Sequence, residues 1–132
     1  MRKEAEAWLT LSAEDLQAAE VLFGQKVYRM ACYHAQQSVE KIFKALLTNH
    51  EIDFPRTHNI LDLHNAVKKL GYQPIISDED AIFLNSIYRA RYPSQAGLLP
   101  FGEPLDRDAV QSLQIAKKVT GWVKTIIGKM TA

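Results

Sequence analysis

Arginine and tyrosine alternate in the short run from Tyr88 to Pro93. Arg89 and Arg91 carry planar, forked hydrogen-bond donors that match phosphate oxygens, and Tyr92 offers a flat face on which a base can stack. The run therefore predicts a contact point for a nucleotide or RNA. The other interpretation, which the sequence leaves open, is that the arginines close the C-terminal end of a helix.

A second polar run, from Tyr33 to Lys41, places a histidine and two adjacent glutamines beside an apolar stripe. Gln36 and Gln37 are fair helix formers, so one interpretation is a solvated helix surface. The other is a polar network, either inside the protein or across a dimer interface. Both interpretations stay open at this point.

Other kinds of reactive site have little support in the sequence. His58 and Asp62 lie four residues apart and can share a helix face, but two ligands do not make a metal site. The six glycines are scattered, so there is no glycine-rich phosphate loop. Cys32 lies on an apolar stripe, which predicts a buried and unreactive thiol. We therefore expect neither a metal nor a cofactor.

Five helices are predicted to position these residues, because apolar side chains recur at steps of three and four. Serine and acidic side chains at helix starts supply capping boxes and complement the helix dipole. The predicted helices are about Arg2–Phe23, about Val27–Asn49, a short helix capped by Thr57 and closed by Gly71, a fourth capped by Ser77 with Asp80 and ending before Pro93, and about Leu105–Gly128.

No convincing strand alternation occurs, so the predicted fold is an all-α, up-and-down antiparallel bundle of four long helices and one short helix. Residues 1–132 are expected to form a single domain. Leu11 in the first helix and Val110 in the last are expected to point inward. The segment from Pro93 to Pro104 is rich in proline and carries apolar side chains, which predicts a partner-facing loop that packs on something.

Composition excludes several classes of protein. The chain has 132 residues, with 16 Lys and Arg against 15 Asp and Glu, so a uniformly basic nucleic-acid binder is disfavoured, although a local basic patch is not. A single cysteine cannot form an intrachain disulfide and favours a reducing, cytoplasmic location. No apolar run approaches the roughly 20 residues of a transmembrane helix, so no membrane contact is expected.

Taken together, the runs resemble the HEPN domain, named for higher eukaryotes and prokaryotes nucleotide-binding. The specific part is the glutamine-pair helix from Ala31 to Leu47, and the rest is supportive. The supporting residues are Trp8 and the Asp15-Leu16 pair in the first helix, His58 at the opening of the third, and Arg91-Tyr92-Pro93 at the end of the fourth.

This resemblance implies an all-α bundle that is commonly dimeric. Small prokaryotic members of the family are often encoded beside a minimal nucleotidyltransferase, with which they act as a two-component, toxin–antitoxin-like pair. Some members are metal-independent ribonucleases. These carry an arginine followed, after four to six residues, by a histidine in the region of the fourth helix.

The sequence departs from this ribonuclease pattern, since none of the required positions after either arginine of the fourth helix is a histidine. Arg29 and His34 have the spacing, but they belong to the second helix and diverge by about 140° around it. We interpret that match as coincidence. The positions that would need the histidine hold Ser94, Gln95 and Ala96 after Arg89, and Ala96, Gly97 and Leu98 after Arg91.

The sequence therefore predicts an interaction or nucleotide-binding HEPN subunit that forms a homodimer and associates with a minimal nucleotidyltransferase. The alternative is a HEPN-type ribonuclease toxin, disfavoured by the missing histidine. The candidate catalytic residues for that alternative are Arg89, Arg91 and Tyr92. The candidate nucleotide- or RNA-binding residues are Arg89, Arg91, Tyr92, Gln36 and Gln37.

Overall fold

The computed structural model describes residues 2–54, 56–73, 75–90 and 103–131, with side chains for all of these except 88–90, 130 and 131. Across these ranges the chain forms helices and no strand, and none of the helices is long and apolar enough to cross a membrane. The helices are α1 (Lys3–Gly24), α2 (Tyr28–Asn49), α3 (Ile60–Lys69), α4 (Asp78–Ala90) and α5 (Asp106–Thr131). The predicted all-α fold is confirmed.

Hydrogen bonds between α1 and α2 show that these helices form an antiparallel hairpin. Near the start of α1, Arg2 donates to the carbonyl oxygen of Thr48, 3.4 Å away. Ten residues further along the chain, Ser12 Oγ donates to the carbonyl oxygen of Ser38 at 2.8 Å. Because the partner position on α2 falls as the position on α1 rises, the two helices run in opposite directions.

The centre of the fold is α2, which packs against α1, α3, α4 and α5. Most of its 22 residues are buried, on more than one face of the helix. The predicted stripe on α2 lies entirely in the core: Cys32, Ala35, Val39, Ile42, Phe43, Leu46 and Leu47.

The hairpin of α3 and α4 is set by its caps. The N-cap of α3 is Asn59, whose side chain accepts from two backbone amides of the first turn, so the prediction of Thr57 is wrong by two residues. Gly71 follows α3 with a φ of +95°, a conformation that glycine adopts without strain. The predicted capping box of α4 is confirmed: Asp80 N donates to Ser77 Oγ at 3.1 Å.

Two apolar side chains predicted to point inward lie outside instead. Leu11 on α1 is 43% exposed and Val110 on α5 is 39% exposed. In α1 the neighbouring Ser12 is buried, because its hydroxyl satisfies a carbonyl oxygen of α2 and lets the two backbones approach closely. At this point of α1 the buried position is therefore the polar Ser12 and not the apolar Leu11.

The predicted partner-facing loop falls mostly on residues 93–102, which lie outside the described residues. At the end of this loop, Glu103 forms an ion pair with Arg29 of α2, and Pro104 is buried. The ion pair joins the segment before α5 to the start of α2.

Candidate functional site

The arginine–tyrosine run lies at the end of α4. Arg89 belongs to the last turn of that helix, but its side chain lies outside the described part of the structure, as do Arg91 and Tyr92 altogether. The roles predicted for these three residues therefore stay predictions. The described residues around α4 supply the rest of the site.

A carboxylate–histidine pair joins α2 to the segment that precedes α3. Glu40 Oε1 lies 2.8 Å from His58 Nδ1. The Glu40 side chain is only 3% exposed, whereas the His58 side chain is 56% exposed. Because a carboxylate oxygen accepts hydrogen bonds, Nδ1 of His58 is the donor in this pair. The pair thus holds an exposed imidazole in a fixed orientation.

Glu40 has a second partner, Lys44, one turn further along α2. Lys44 Nζ lies 3.3 Å from Glu40 Oε2, and its side chain is 9% exposed. The ammonium group also lies over the rings of Trp8 and Phe54, 5.2 and 5.6 Å from their centroids. A buried carboxylate is tolerated only when it is paired in this way. Lys44 is therefore the counter-ion of Glu40 beneath His58.

The glutamine pair extends this network inside the protein. Gln37 Nε2 donates to Gln36 Oε1 at 2.7 Å, and Gln36 Nε2 donates to the carbonyl oxygen of His58 at 3.4 Å. Gln36 has no exposed surface and Gln37 is 7% exposed. Of the two interpretations of the sequence, the structure therefore selects a buried polar network within one chain. The predicted contact of these glutamines with a nucleotide stays a prediction.

Two asparagines attach the His58 segment to α4. Asn85 Oδ1 accepts from the backbone amide of Ile60 at 2.7 Å, and Asn85 Nδ2 donates to Asn59 Oδ1 at 2.8 Å. Arg89 lies four residues after Asn85 and so occupies the same face of α4, one turn nearer its end. Position 89 is therefore one helical turn from the contact that α4 makes with Asn59, the neighbour of His58.

Sequence reasoning missed the contact between His58 and Glu40. His58 and Glu40 are 18 residues apart across a proline-containing connection, and no local periodicity reports such a contact. The family resemblance did include both residues, as part of the glutamine-pair helix and as the opening of the third helix. It was the only signal in the sequence that pointed to them.

A second histidine is paired on the other side of α2. His34 Nδ1 lies 2.8 Å from Asp15 Oδ1, and Lys41 Nζ lies 2.5 Å from Asp15 Oδ2. Arg29 instead pairs with Glu103. Within the described residues, the arginine and histidine that share the ribonuclease spacing in α2 therefore contact different carboxylates.

Cys32 is fully buried, as predicted. Burial raises the pKa of its thiol to about 11, and a hydrogen bond with Ser112 only partly offsets this effect. The thiol is therefore protonated at neutral pH and has the character of an unreactive structural cysteine.

We expect the folded protein to resist alkylation by iodoacetamide at about pH 8, because Cys32 is both buried and protonated. The same reagent should modify the cysteine fully in concentrated urea, which is measured by mass spectrometry. A Leu11→Cys variant supplies the control, since that exposed position should react in the folded state. Rapid modification of native Cys32 would contradict the burial.

His64 of α3 is the fourth histidine and is only 1% exposed. Its pKa lies below the ordinary 6.5, first because burial disfavours the charged ring and second because of the nearby Lys68 ammonium group. The carboxylate of Asp78 opposes this shift in part. His64 is therefore neutral at pH 7.

The protein should lose stability as the pH falls below about 6.5, partly through His64. The unfolded chain binds a proton there before the folded chain does, so protonation favours unfolding until the pH passes the lowered pKa. Urea midpoints at about pH 7.5 and about pH 5 measure the loss. The decline should be smaller in a His64→Phe variant, and an identical decline would exclude His64 as its source.

Within the described ranges, no group of three or more His, Cys, Asp or Glu side chains is placed to hold a metal ion. The arrangement offers acid–base and ion-pairing groups around α2 instead.

Comparisons with known proteins identify the family. The sequence model of the HEPN domain matches residues 5–126. The crystal structure of ST0689, an archaeal HEPN homologue, superposes with a TM-score of 0.69 at 24% identity, covering 96% of this chain and 99% of that one. The crystal structure of TT1696 from Thermus thermophilus gives a TM-score of 0.73 at 25% identity, covering 94% and 98%. No curated protein matches the chain. On the family match, which spans nearly the whole sequence, this chain belongs to the HEPN domain family.

Proposed function

We propose that this protein is a HEPN binding subunit that forms a homodimer and associates with a minimal nucleotidyltransferase in a two-component, toxin–antitoxin-like pair. One observation carries the proposal: the chain belongs to the HEPN family, yet no histidine follows Arg89 or Arg91 at the ribonuclease spacing. General acid–base catalysis contributes about 10²–10⁴-fold in rate. A member without the histidine that supplies it is better suited to binding than to cleavage.

A groove between α1 and α5 supports the dimer. It measures about 270 Å³ and is lined by Phe23, Val110 and Leu113 between the charged Glu20 and Lys117. An apolar centre with a charged rim is typical of protein–protein contacts. We place the homodimer contact on this groove, which leaves the α2–α3–α4 side for the nucleotidyltransferase.

The dimer is tested by light scattering on the purified protein. We expect a mass twice that of the chain for the wild type and a monomer for Val110→Asp, which puts a charge into the groove. Gln111→Asp is the matched control, because the neighbouring exposed position adds the same charge outside the groove, and it should stay dimeric. Equal masses for the two variants would argue against this contact.

The partner is tested by co-expression with the product of the neighbouring gene, which the proposal expects to be a minimal nucleotidyltransferase. A tagged copy of this protein should retain the nucleotidyltransferase through purification. Failure to form a complex at micromolar concentrations of both proteins would count against the proposal. Calorimetry with ATP and GTP tests separately the nucleotide-binding role of Arg89 and Arg91, which a lack of heat at millimolar nucleotide would exclude.

A ribonuclease is the second candidate, and the Glu40–His58 pair favours it. Glu40 holds an exposed imidazole on the segment that two asparagines attach to α4, and in this candidate His58 acts as the base that the α4 sequence lacks. An arginine there would stabilise the negative charge that develops on the phosphate.

An RNA-cleavage assay separates the two candidates. The binding-subunit proposal expects no cleavage by the wild type. Cleavage that disappears in both Arg89→Ala/Arg91→Ala and His58→Ala would establish the ribonuclease instead. Cleavage unaffected by either variant would point to a contaminating nuclease, and would leave the complex with the nucleotidyltransferase as the deciding measurement.

A further inference from the structure

A pocket opens between the end of α3 and the start of α4, away from the residues discussed for the proposed function. Its volume is about 600 Å³. His64 forms part of its wall, and Lys68 and Asp78 line it from the two helices. Tyr72 and Gln73 line it from the connection between them.

His64 lines this pocket with unused hydrogen-bonding capacity. Among the described residues, neither ring nitrogen has a partner in good hydrogen-bond geometry, although the residue is only 1% exposed. Nδ1 lies 3.3 Å from Asp78 Oδ1, near enough for an ion pair, but without hydrogen-bond geometry. A neutral imidazole has one donor and one acceptor, and burying such groups without full hydrogen bonding is unfavourable. The wall of the pocket therefore contains an imidazole whose hydrogen-bonding capacity is not fully used.

Asp78 supplies the pocket with a carboxylate that already binds a cation. Asp78 accepts from Lys68 Nζ at 2.8 Å, and this hydrogen bond holds the pKa of the Asp78 carboxyl below its usual range. Lys68 is 40% exposed and carries its ammonium on a flexible stem, so it can leave Asp78 for solvent.

We propose that this pocket binds a small organic molecule that carries a primary ammonium group, which replaces Lys68 beside Asp78 and donates a hydrogen bond to His64. An ammonium group has three donors. Asp78 and the acceptor nitrogen of His64 use two of them, and the side-chain oxygen of Gln73 is available to the third. The ring of Tyr72 gives the alkyl part an apolar wall.

The proposal is tested by calorimetry with propylammonium and putrescine as probes. We expect saturable binding with a Kd of about 1 mM or tighter, and a shift of the His64 ring-nitrogen resonances in NMR spectra. Propanol and tetramethylammonium are the ligand controls. Propanol lacks the charge and tetramethylammonium lacks the N–H donors, so neither should bind.

Four variants make the test specific. Asp78→Asn and His64→Phe should each weaken amine binding at least about 10-fold, or about 1.4 kcal/mol. Lys68→Met should strengthen it, because the competing ammonium group is removed. Glu79→Gln is the matched control on the same turn and should bind like the wild type. Circular dichroism verifies that each variant is folded.

Three results would overturn the proposal. The first is no heat and no NMR shift with either amine. The second is weaker amine binding by Lys68→Met, accompanied by binding of inorganic phosphate to the wild type, which would make the pocket an anion site. The third is unchanged amine binding by Asp78→Asn, which would place the amine elsewhere.

Discussion

Replacing Glu40 with glutamine is expected to lower the free energy of unfolding by about 3 kcal/mol or more, because removing one member of a buried ion pair leaves the other charge buried. Here that charge is the ammonium of Lys44, whose side chain is 9% exposed. The substitution also weakens the hold on His58. Urea denaturation measured by circular dichroism gives the loss.

Two further variants identify the cause of this loss of stability. The double variant Glu40→Gln/Lys44→Met removes the buried charge together with its partner and should recover most of the stability. His58→Ala removes only the half-exposed partner and should cost no more than about 1 kcal/mol. If the double variant is no more stable than Glu40→Gln, unpaired charge is not the reason for the loss.

Truncating Phe43 to alanine should lower the free energy of unfolding by about 3–5 kcal/mol, the range for a buried aromatic side chain. Phe43 is 1% exposed on the central helix, and its ring centroid lies 6.2 Å from that of His64. The loss combines the missing transfer of the ring from water with the cavity that it leaves behind. Thermal and urea unfolding both report it.

Val21→Ala is the matched control for this prediction, since the Val21 side chain lies on α1 with 59% of its surface exposed. That variant should change stability by no more than about 0.5 kcal/mol. Phe43→Leu, which refills part of the cavity, should fall between the two. A loss below about 1 kcal/mol for Phe43→Ala would contradict the core position of the ring.

The helices themselves were predictable, because the apolar period and the capping residues are local properties of the chain. The error at the start of α3 arises because a helix cap also depends on contacts with residues distant in the sequence. Thr57 and Asn59 are both good caps, and it is Asn85 of another helix that binds the Asn59 side chain. A tertiary contact therefore decides between two positions that the sequence treats as equivalent.

The candidate site was less predictable, for a reason that lies in α2. Glu40 and Lys44 fall off the apolar stripe, and their spacing favours an i,i+4 pair. They do form the pair, but inside the protein, because α2 is covered on several sides by its neighbours. Amphipathic periodicity identifies one buried face and cannot show that a polar face is buried as well.

The central position of α2 also governs how the protein opens. A backbone amide exchanges its hydrogen with solvent only when its hydrogen bond is broken, and peripheral elements can do this by local fluctuation. No such fluctuation uncovers the middle of α2, since α1, α3, α4 and α5 all pack on it. Its amides near Phe43 should therefore be the slowest to exchange deuterium, at the rate set by global unfolding. The amides of α3, a helix of 10 residues at the periphery, should exchange earlier.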